Sequence, residues 1–470
     1  MSASTAIVWF RRDLRLADNP ALDYARKHHE HIVPVFVWDP EAEGDWAPGG
    51  AARWWLHHSL TELAERLEKR GSRLIVARGD TATELERIRE VTGAQAVYWN
   101  RLYEPALIER DRGLKAALRE SGLEARSFNA ALLFEPWELV KSDRSPYLVF
   151  TPYWKRMQKD WRVPACCPEP QKLAAPARWP ANAGVDALEL LPRLNWADGF
   201  ARRWAPGELA ARRRLDSFVE EGAAEYDDLR NRPDRAGTSR FSPYLHFGEL
   251  SPRQVALALD DAGEIPRGKG RLSLLRELAW REFSWLLLFH YPHLPTHALK
   301  EPFQNFPWRK PADYQKDLKA WQQGRTGIPM VDAGMRELWA TGWMHNRVRM
   351  VVASFLTKNL LIPWQEGAEW FWDTLVDADL GNNTQGWQWI AGCGADAAPY
   401  FRVFNPVLQG EKFDPDGRYV SRWCPELAKR PKARIHQPLA DGERCGDYPR
   451  AIVDLKGSRE RALAAYQSLR

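Results

Sequence analysis

The chain has 470 residues, 67 Lys and Arg against 62 Asp and Glu for a formal charge of +5, 44% hydrophobic residues, five cysteines and 24 tryptophans. Length and apolar content together predict two or three domains with sizeable cores and exclude a disordered or fibrous chain. No apolar run reaches 18 residues, and MSASTAIVWFRRDLRL places two arginines after a short apolar stretch, unlike a secretion signal, so a cytoplasmic protein is expected.

The first 130 residues alternate short β-branched runs with amphipathic stretches: AIVWF (6–10), HIVPVFVWD (31–39), SRLIVA (72–77), AQAVYWN (94–100) and ARSFN (125–129). They predict an α/β domain, a parallel sheet with helices, over residues 1–130. Leu56, Leu60, Leu63 and Leu67 share a helical face, and Gly71 follows as a stop signal. No GxGxxG or phosphate-loop signature opens a helix here. Residues 131–205 are Pro-rich and weakly periodic, which predicts a connector. From 206 to 470 the periodicity is helical almost throughout, predicting a larger, mainly α domain.

Cys166, Cys167, Cys393, Cys424 and Cys445 are odd in number, form no CxxC pair and lack histidines at zinc spacing, so free thiols are expected and no metal site. The small net charge does not by itself indicate a nucleic-acid partner; local residues must. Glu277, Trp280, Arg281 and Ser284 fall at i, i+3, i+4 and i+7, placing an acid, an indole and a guanidinium on one face. Asn346, Arg349 and Met350 share another. Each stripe alone reads as surface, with Glu277 and Arg281 as an i, i+4 ion pair; together they raise the case for a pocket. GTSRFS (237–242) offers hydroxyls and backbone N–H groups suited to phosphate, or equally to a plain turn before helical sequence resumes at SPRQV. In residues 371–402, Asp377, Asp379, Asn383, Trp387 and Trp389 are concentrated without a histidine, so the carboxylates either cap helices or face an organic ring.

RELAWREF, TGWMHNRVRM, DADLGNNTQGWQW and DAAPYFRVFNP, with the N-terminal VWFRRDLRLADNPAL, closely resemble the photolyase/cryptochrome family across nearly the whole chain, most of all bacterial photolyases that repair cyclobutane pyrimidine dimers. The resemblance implies a Rossmann-like antenna domain and an all-α domain holding FAD. It implies FAD contacts at Tyr226, Thr238, Ser239, Arg240, Phe241, Ser242, Arg349, Asp377, Ala378, Asp379 and Asn383, with Arg349 paired to Asp377 and Asn383 facing the reactive flavin nitrogen. Plant-type cryptochromes carry Asp at that last position. Trp387, Trp364 and Trp308 match the chain that brings electrons to oxidised flavin. Glu277, Trp280, Asn346, Met350 and Trp389 match the pocket for a flipped-out dimer, and Arg230, Arg281, Arg347 and Arg402 are candidate phosphate contacts. The implied partner is UV-damaged DNA, with no membrane, no obligate protein partner and a monomeric enzyme.

Family members often carry a second, antenna chromophore. Folate-using bacterial members place Asn-Glu where this chain reads Ala106-Leu107, so a deazaflavin, a flavin, a differently held folate and an empty cleft all stay open. Asn383 and a chain that stops soon after YPRAIVDLKGSRERALAAYQSLR favour repair over a cryptochrome-like photoreceptor. His345 alone, followed by Asn346, does not give the paired histidines of enzymes for the six-four photoproduct. A single-strand-preferring DASH-type photolyase shares several of these motifs and remains the alternative. A nucleotide-dependent enzyme or RNA-binding module would have only the α/β domain and basic helices behind it.

Overall fold

The computed structural model describes residues 4–260, 262–397, 401–438 and 445–469; residues 398–400 of the DAAPYFRVFNP stretch lie outside them. Strands β1 (Thr5–Phe10), β2 (His31–Trp38), β3 (Ile75–Arg78), β4 (Ala96–Asn100) and β5 (Glu124–Phe128) form one parallel sheet in the order β3-β2-β1-β4-β5. Every residue of β1 is buried, as a strand covered by helices on both faces requires; this is why it reads as an unbroken apolar run. The covering helices are α1 (Pro20–His28), α2 (Gly50–Glu68), α3 (Thr81–Thr92) and α4 (Pro105–Glu120). Asn19 caps α1 by accepting from Leu22 N, and Asp80 caps α3 by accepting from Thr83 N. The four leucines of the expected stripe are all buried in α2.

The stretch expected to be a plain connector holds a helix, α5 (Phe150–Lys159), whose Phe150, Tyr153, Trp154 and Met157 are buried. It is short and proline-flanked, and its apolar face is completed by partners distant in sequence, so local periodicity does not reveal it. The remainder is helical as expected: α6 (Glu208–Glu221), α7 (Lys269–His290), α8 (Pro311–Gln322), α9 (Pro329–Thr341), α10 (Asn346–Ser354), α11 (Trp364–Thr374), α12 (Leu380–Ala391) and α13 (Leu455–Gln467). Helix resumes after GTSRFS earlier than expected, in a short turn at Ser242–His246. α10 runs into a π-helical turn over Phe355–Asn359.

The loop after β1 joins sheet and helices. Leu16 N and Ala17 N donate to the buried Glu208 carboxylate at 2.6 and 3.1 Å, and Glu208 also pairs with Arg66 and Arg212. Arg15 donates to Gly248 O at 2.7 Å, Leu14 N to Phe247 O at 3.1 Å, and Asp18 accepts from Ser251 Oγ at 2.6 Å. Open α/β sheets bind ligands where strand order reverses, here beside β1 and β4; in this chain the loop at that point is largely tied into the helical part.

Candidate functional site

A cavity of about 420 Å³ opens among α7, α10, α11 and α12, within the roughly 300–1,000 Å³ usual for small-molecule sites. α7 supplies Glu277, Trp280 and Ser284 at its helical spacing; α10 supplies Asn346, Arg347, Arg349 and Met350; the α11–α12 segment supplies Asp377, Ala378, Asp379, Asn382, Asn383, Trp387 and Trp389. Residues from three stretches far apart in sequence thus converge, including both stripes that singly read as surface. Phe371, Leu375, Asn231 and Gln385 also line the cavity. Phe371 and Leu375 were legible as an i, i+4 pair, and Asn382 adjoins Asn383; nothing local marks Asn231 or Gln385.

The polar groups are oriented by specific bonds. Arg349 reaches Asp377 with Nη2 at 2.8 and 3.0 Å from the two carboxylate oxygens, while its Nε donates to Met344 O at 2.8 Å. Asp379 caps α12, accepting from Asn382 N at 2.9 Å and Asn382 Nδ2 at 2.8 Å. Burial alone would raise the Asp379 carboxyl, but the His246 hydrogen bond, Arg281 and the Asn382 N–H outweigh it and hold it at about 2. Asn383 Nδ2 donates to Ala368 O at 3.0 Å, which anchors the amide at the cavity wall with its oxygen and second N–H unbonded within the protein. Burial first, then Arg347, Arg349 and Arg240, hold the His345 imidazole down to about 3, so it is neutral; its Nδ1 accepts from Arg347 N at 3.1 Å.

Two indoles face the cavity and both are braced by the segment around α5. Trp280 stacks on Phe150 with ring centroids 3.8 Å apart and an 8° interplanar angle. Trp389 Nε1 donates to Asp396 O at 3.0 Å, Asp396 N donates to Leu148 O at 2.9 Å, and Phe150 N donates to Asp396 Oδ1 at 3.2 Å. Trp387 lies deeper, 2% exposed, its edge against Gly367; a Cβ there would sit 2.0 Å from the indole, so α11 and α12 meet this closely only across a glycine. Trp364 is buried at the start of α11, and Trp308 is half-buried, in a segment held to the α11 approach by Arg309 N donating to Leu361 O at 2.9 Å.

The arginines divide. Arg230 and Arg347 line the cavity, the first ion-paired with Glu277 and the second donating to Asn231 Oδ1 at 2.7 Å. Glu277 therefore pairs with Arg230 and not with Arg281, as its helical spacing suggested. Arg281 is outside the cavity lining, donating to Ala131 O at 2.7 Å and lying 3.6 Å from Glu282. Arg402 is exposed, over the Phe404 ring, outside the cavity lining.

Tyr226 and residues 238–242 also lie outside that lining. Burial first and Glu277 second push the Tyr226 phenol above its ordinary value. The backbone N–H groups of Thr238, Ser239, Arg240, Phe241 and Ser242 and the hydroxyls of Thr238, Ser239 and Ser242 meet no acceptor among the described residues. Three of the loop's carbonyls, by contrast, are occupied: Arg214 donates to Ser239 O at 2.8 Å and to Thr238 O at 2.9 Å, and Leu245 N to Phe241 O at 2.9 Å. Arg240 adopts φ +58°, an unfavourable backbone for a residue other than glycine. A loop with most of its carbonyls engaged and its donors open fits an anionic diphosphate. With the Arg349–Asp377 pair, the neutral Asn383 amide and an aromatic-walled cavity, the donor set fits FAD.

Residues 6–173 match the family model for DNA photolyase and residues 274–468 that for the FAD binding domain of DNA photolyase. The chain is 45% identical to the deoxyribodipyrimidine photo-lyase of Agrobacterium fabrum, over 100% of this chain and 99% of that one. It is 41% identical to cryptochrome-2 of Arabidopsis thaliana, over 97% of this chain and 77% of that one. Its fold superposes on the crystal structure of a class III photolyase from Agrobacterium tumefaciens with a TM-score of 0.94 at 45% identity, covering 100% and 98% of the two chains. Sequence, fold and cavity agree: the chain belongs to the photolyase/cryptochrome family.

Proposed function

We propose that the protein is a light-driven carbon–carbon lyase that repairs cyclobutane pyrimidine dimers in DNA. The observation that carries this reading is the convergence, in one cavity, of an indole-lined mouth with the Arg349–Asp377 pair and the Asn383 amide. FAD, fully reduced and excited by blue light, supplies the electron that opens the cyclobutane ring and takes it back afterwards.

The chain's own residues bind and orient. Trp280 and Trp389 offer faces on which a flipped dimer stacks, worth roughly 1–3 kcal/mol per base. Lost pairing in the dimer lowers the few kcal/mol that flipping a normal base costs. Glu277, held by Arg230, and Asn346 meet the polar edges of the pyrimidines. Residues 238–242 take the FAD diphosphate, and Arg349 neutralises Asp377 beside the flavin. Asn383 presents an amide that hydrogen-bonds reduced flavin without giving it a proton. Trp387, Trp364 and Trp308 form the path by which electrons reach oxidised flavin from the surface. Arg230, Arg347 and Arg402 contact backbone phosphates, so binding is salt-sensitive and structure-selective; Arg281, occupied by Ala131 O, takes the smallest share.

The division at 1–130, 131–205 and 206–470 goes with this reading, as does a cytoplasmic, nucleoid-associated monomer that needs no protein partner. The antenna expectation attaches to a cleft of about 230 Å³ lined by Ala106, Leu107, Trp46 and Pro292. The test is an absorption spectrum of the purified protein followed by a light-dependent assay on dimer-containing DNA. Bound flavin and restored pyrimidines are expected; colourless protein that cannot be reconstituted, or protein inactive on dimers, overturns the reading. Asn383→Asp is expected to keep FAD bound while changing which reduced form accumulates in light, and an unchanged spectrum removes Asn383 from the mechanism.

A further inference from the structure

The outer face between α8 and α9 carries a groove of about 890 Å³ that shares no residue with the cavity above. Its α8 wall is the stripe Gln315, Lys316, Lys319, Gln322 and Gln323, its α9 wall is Met335, Arg336 and Trp339, and Trp370 of α11 closes one end. No carboxylate lines it, in a chain with 62 acidic residues. Arg336 is committed to Glu426 at 2.9 Å, whereas Lys316 and Lys319 have no ion-pair partner among the described residues. The amides of Gln315, Gln322 and Gln323 likewise have no hydrogen-bond partner among them.

Trp339 is 48% exposed, an unusual position for the largest side chain. It is not loose: Trp370 stacks on it with centroids 6.0 Å apart and planes 7° apart, and Trp196 stacks at 5.4 Å and 29°. A rigid, partly exposed indole beside unpaired ammonium groups and free amides matches a planar nitrogen heterocycle carrying an anionic group.

We propose that this groove binds a mononucleotide, its base laid against Trp339 with hydrogen bonds from the glutamine amides, and its phosphate taken by Lys316 and Lys319. The site is separate from the lesion cavity and from the flavin, so it does not depend on the repair reaction.

The test is calorimetric titration of AMP into the FAD-loaded protein, with adenosine, inorganic phosphate and oligo(dT) as parallel probes. AMP is expected to bind saturably, with adenosine and phosphate each at least tenfold weaker and oligo(dT) no tighter than AMP. Trp339→Ala is expected to weaken AMP by roughly tenfold, the scale of one base stacked on an indole. The surface double variant Lys316→Glu/Lys319→Glu is expected to do the same, and Trp280→Ala in the lesion cavity to leave AMP binding unchanged. Absence of saturable AMP binding, AMP binding that survives both groove variants, loss of AMP binding in Trp280→Ala, or oligo(dT) binding tighter than AMP overturns the proposal. Repair rate and flavin content in the groove variants are expected to equal those of the parent.

Discussion

Two loops of this protein make the same demand on their backbones and meet it oppositely. The loop of residues 11–19 has Leu14, Leu16 and Ala17 N–H groups bonded to Phe247 and Glu208, and its Asp18 and Arg15 side chains bonded across the interface. Residues 238–242 present five N–H groups and three hydroxyls with no acceptor among the described residues, yet the Thr238 and Ser239 carbonyls are pinned by Arg214. Backbone donors removed from water need partners. The first loop finds them in the protein and is a structural joint; the second, half-buried with Ser242 exposed, leaves its donors open, and on the proposed function this is where the FAD diphosphate is held. Composition does not separate them, since both are arginine-bearing and polar; the destination of each N–H does.

The largest change expected is on the closed side. Glu208→Ala orphans two backbone donors and leaves Arg66, 3% exposed, without one of its acids, which costs about 3–5 kcal/mol. A fall in the urea midpoint is expected, with the folded fraction keeping its flavin; an unchanged midpoint would make the joint dispensable. Next is the acid limb of Asp379. Its carboxyl is at about 2 in the folded chain against 3.8 ordinarily, so it stabilises fully above pH 3.8 and that contribution, about 2 kcal/mol, is lost as pH falls towards 2. Urea unfolding between pH 5 and pH 3 is expected to show a shallower acid dependence in Asp379→Asn; equal slopes would remove the carboxylate from the balance.

Trp389→Ala is expected to weaken binding of dimer-containing DNA by about 1–3 kcal/mol while sparing flavin occupancy. Equal affinity would make the indole a packing residue only. The smallest pair of effects sharpens the contrast most. Ser251→Ala, which removes the Asp18 bond and a capping box, is expected to lower folding stability by about 1 kcal/mol and leave flavin affinity alone. Ser242→Ala, in the open loop, is expected to do the reverse: about 1 kcal/mol in flavin affinity and none in the stability of the flavin-free protein. If both act on folding, the two loops are alike.

The sheet was legible because β1 to β4 bury both faces and write that fact as continuous apolar runs, while the edge strand β5 is short and largely half-exposed; α2 was legible because its leucines keep one face for three turns. The cavity was legible in pieces. Glu277, Trp280, Asn346, Met350, Asp377, Asn383 and Trp389 each carried a local signature or a family match, and the fold brings them together. What escaped was long-range. The pairing of Glu277 with Arg230 across 47 residues has no local trace, while its spacing to Arg281 suggested the wrong partner. The helix at Phe150–Lys159 is stabilised by Trp280 and Phe283, over a hundred residues away. The state of the 238–242 donors cannot be read from GTSRFS, since the same letters serve a plain turn.

Because Phe150 backs Trp280 and the neighbouring backbone grips Asp396, which in turn holds Trp389, the segment bridging the two halves fixes how far apart the two indole walls stand. Lengthening or shortening that stretch therefore changes the gauge of the cavity mouth without altering either indole. On the proposed function, which injured base fits is then set partly by this hinge pin, apart from the residues that touch it.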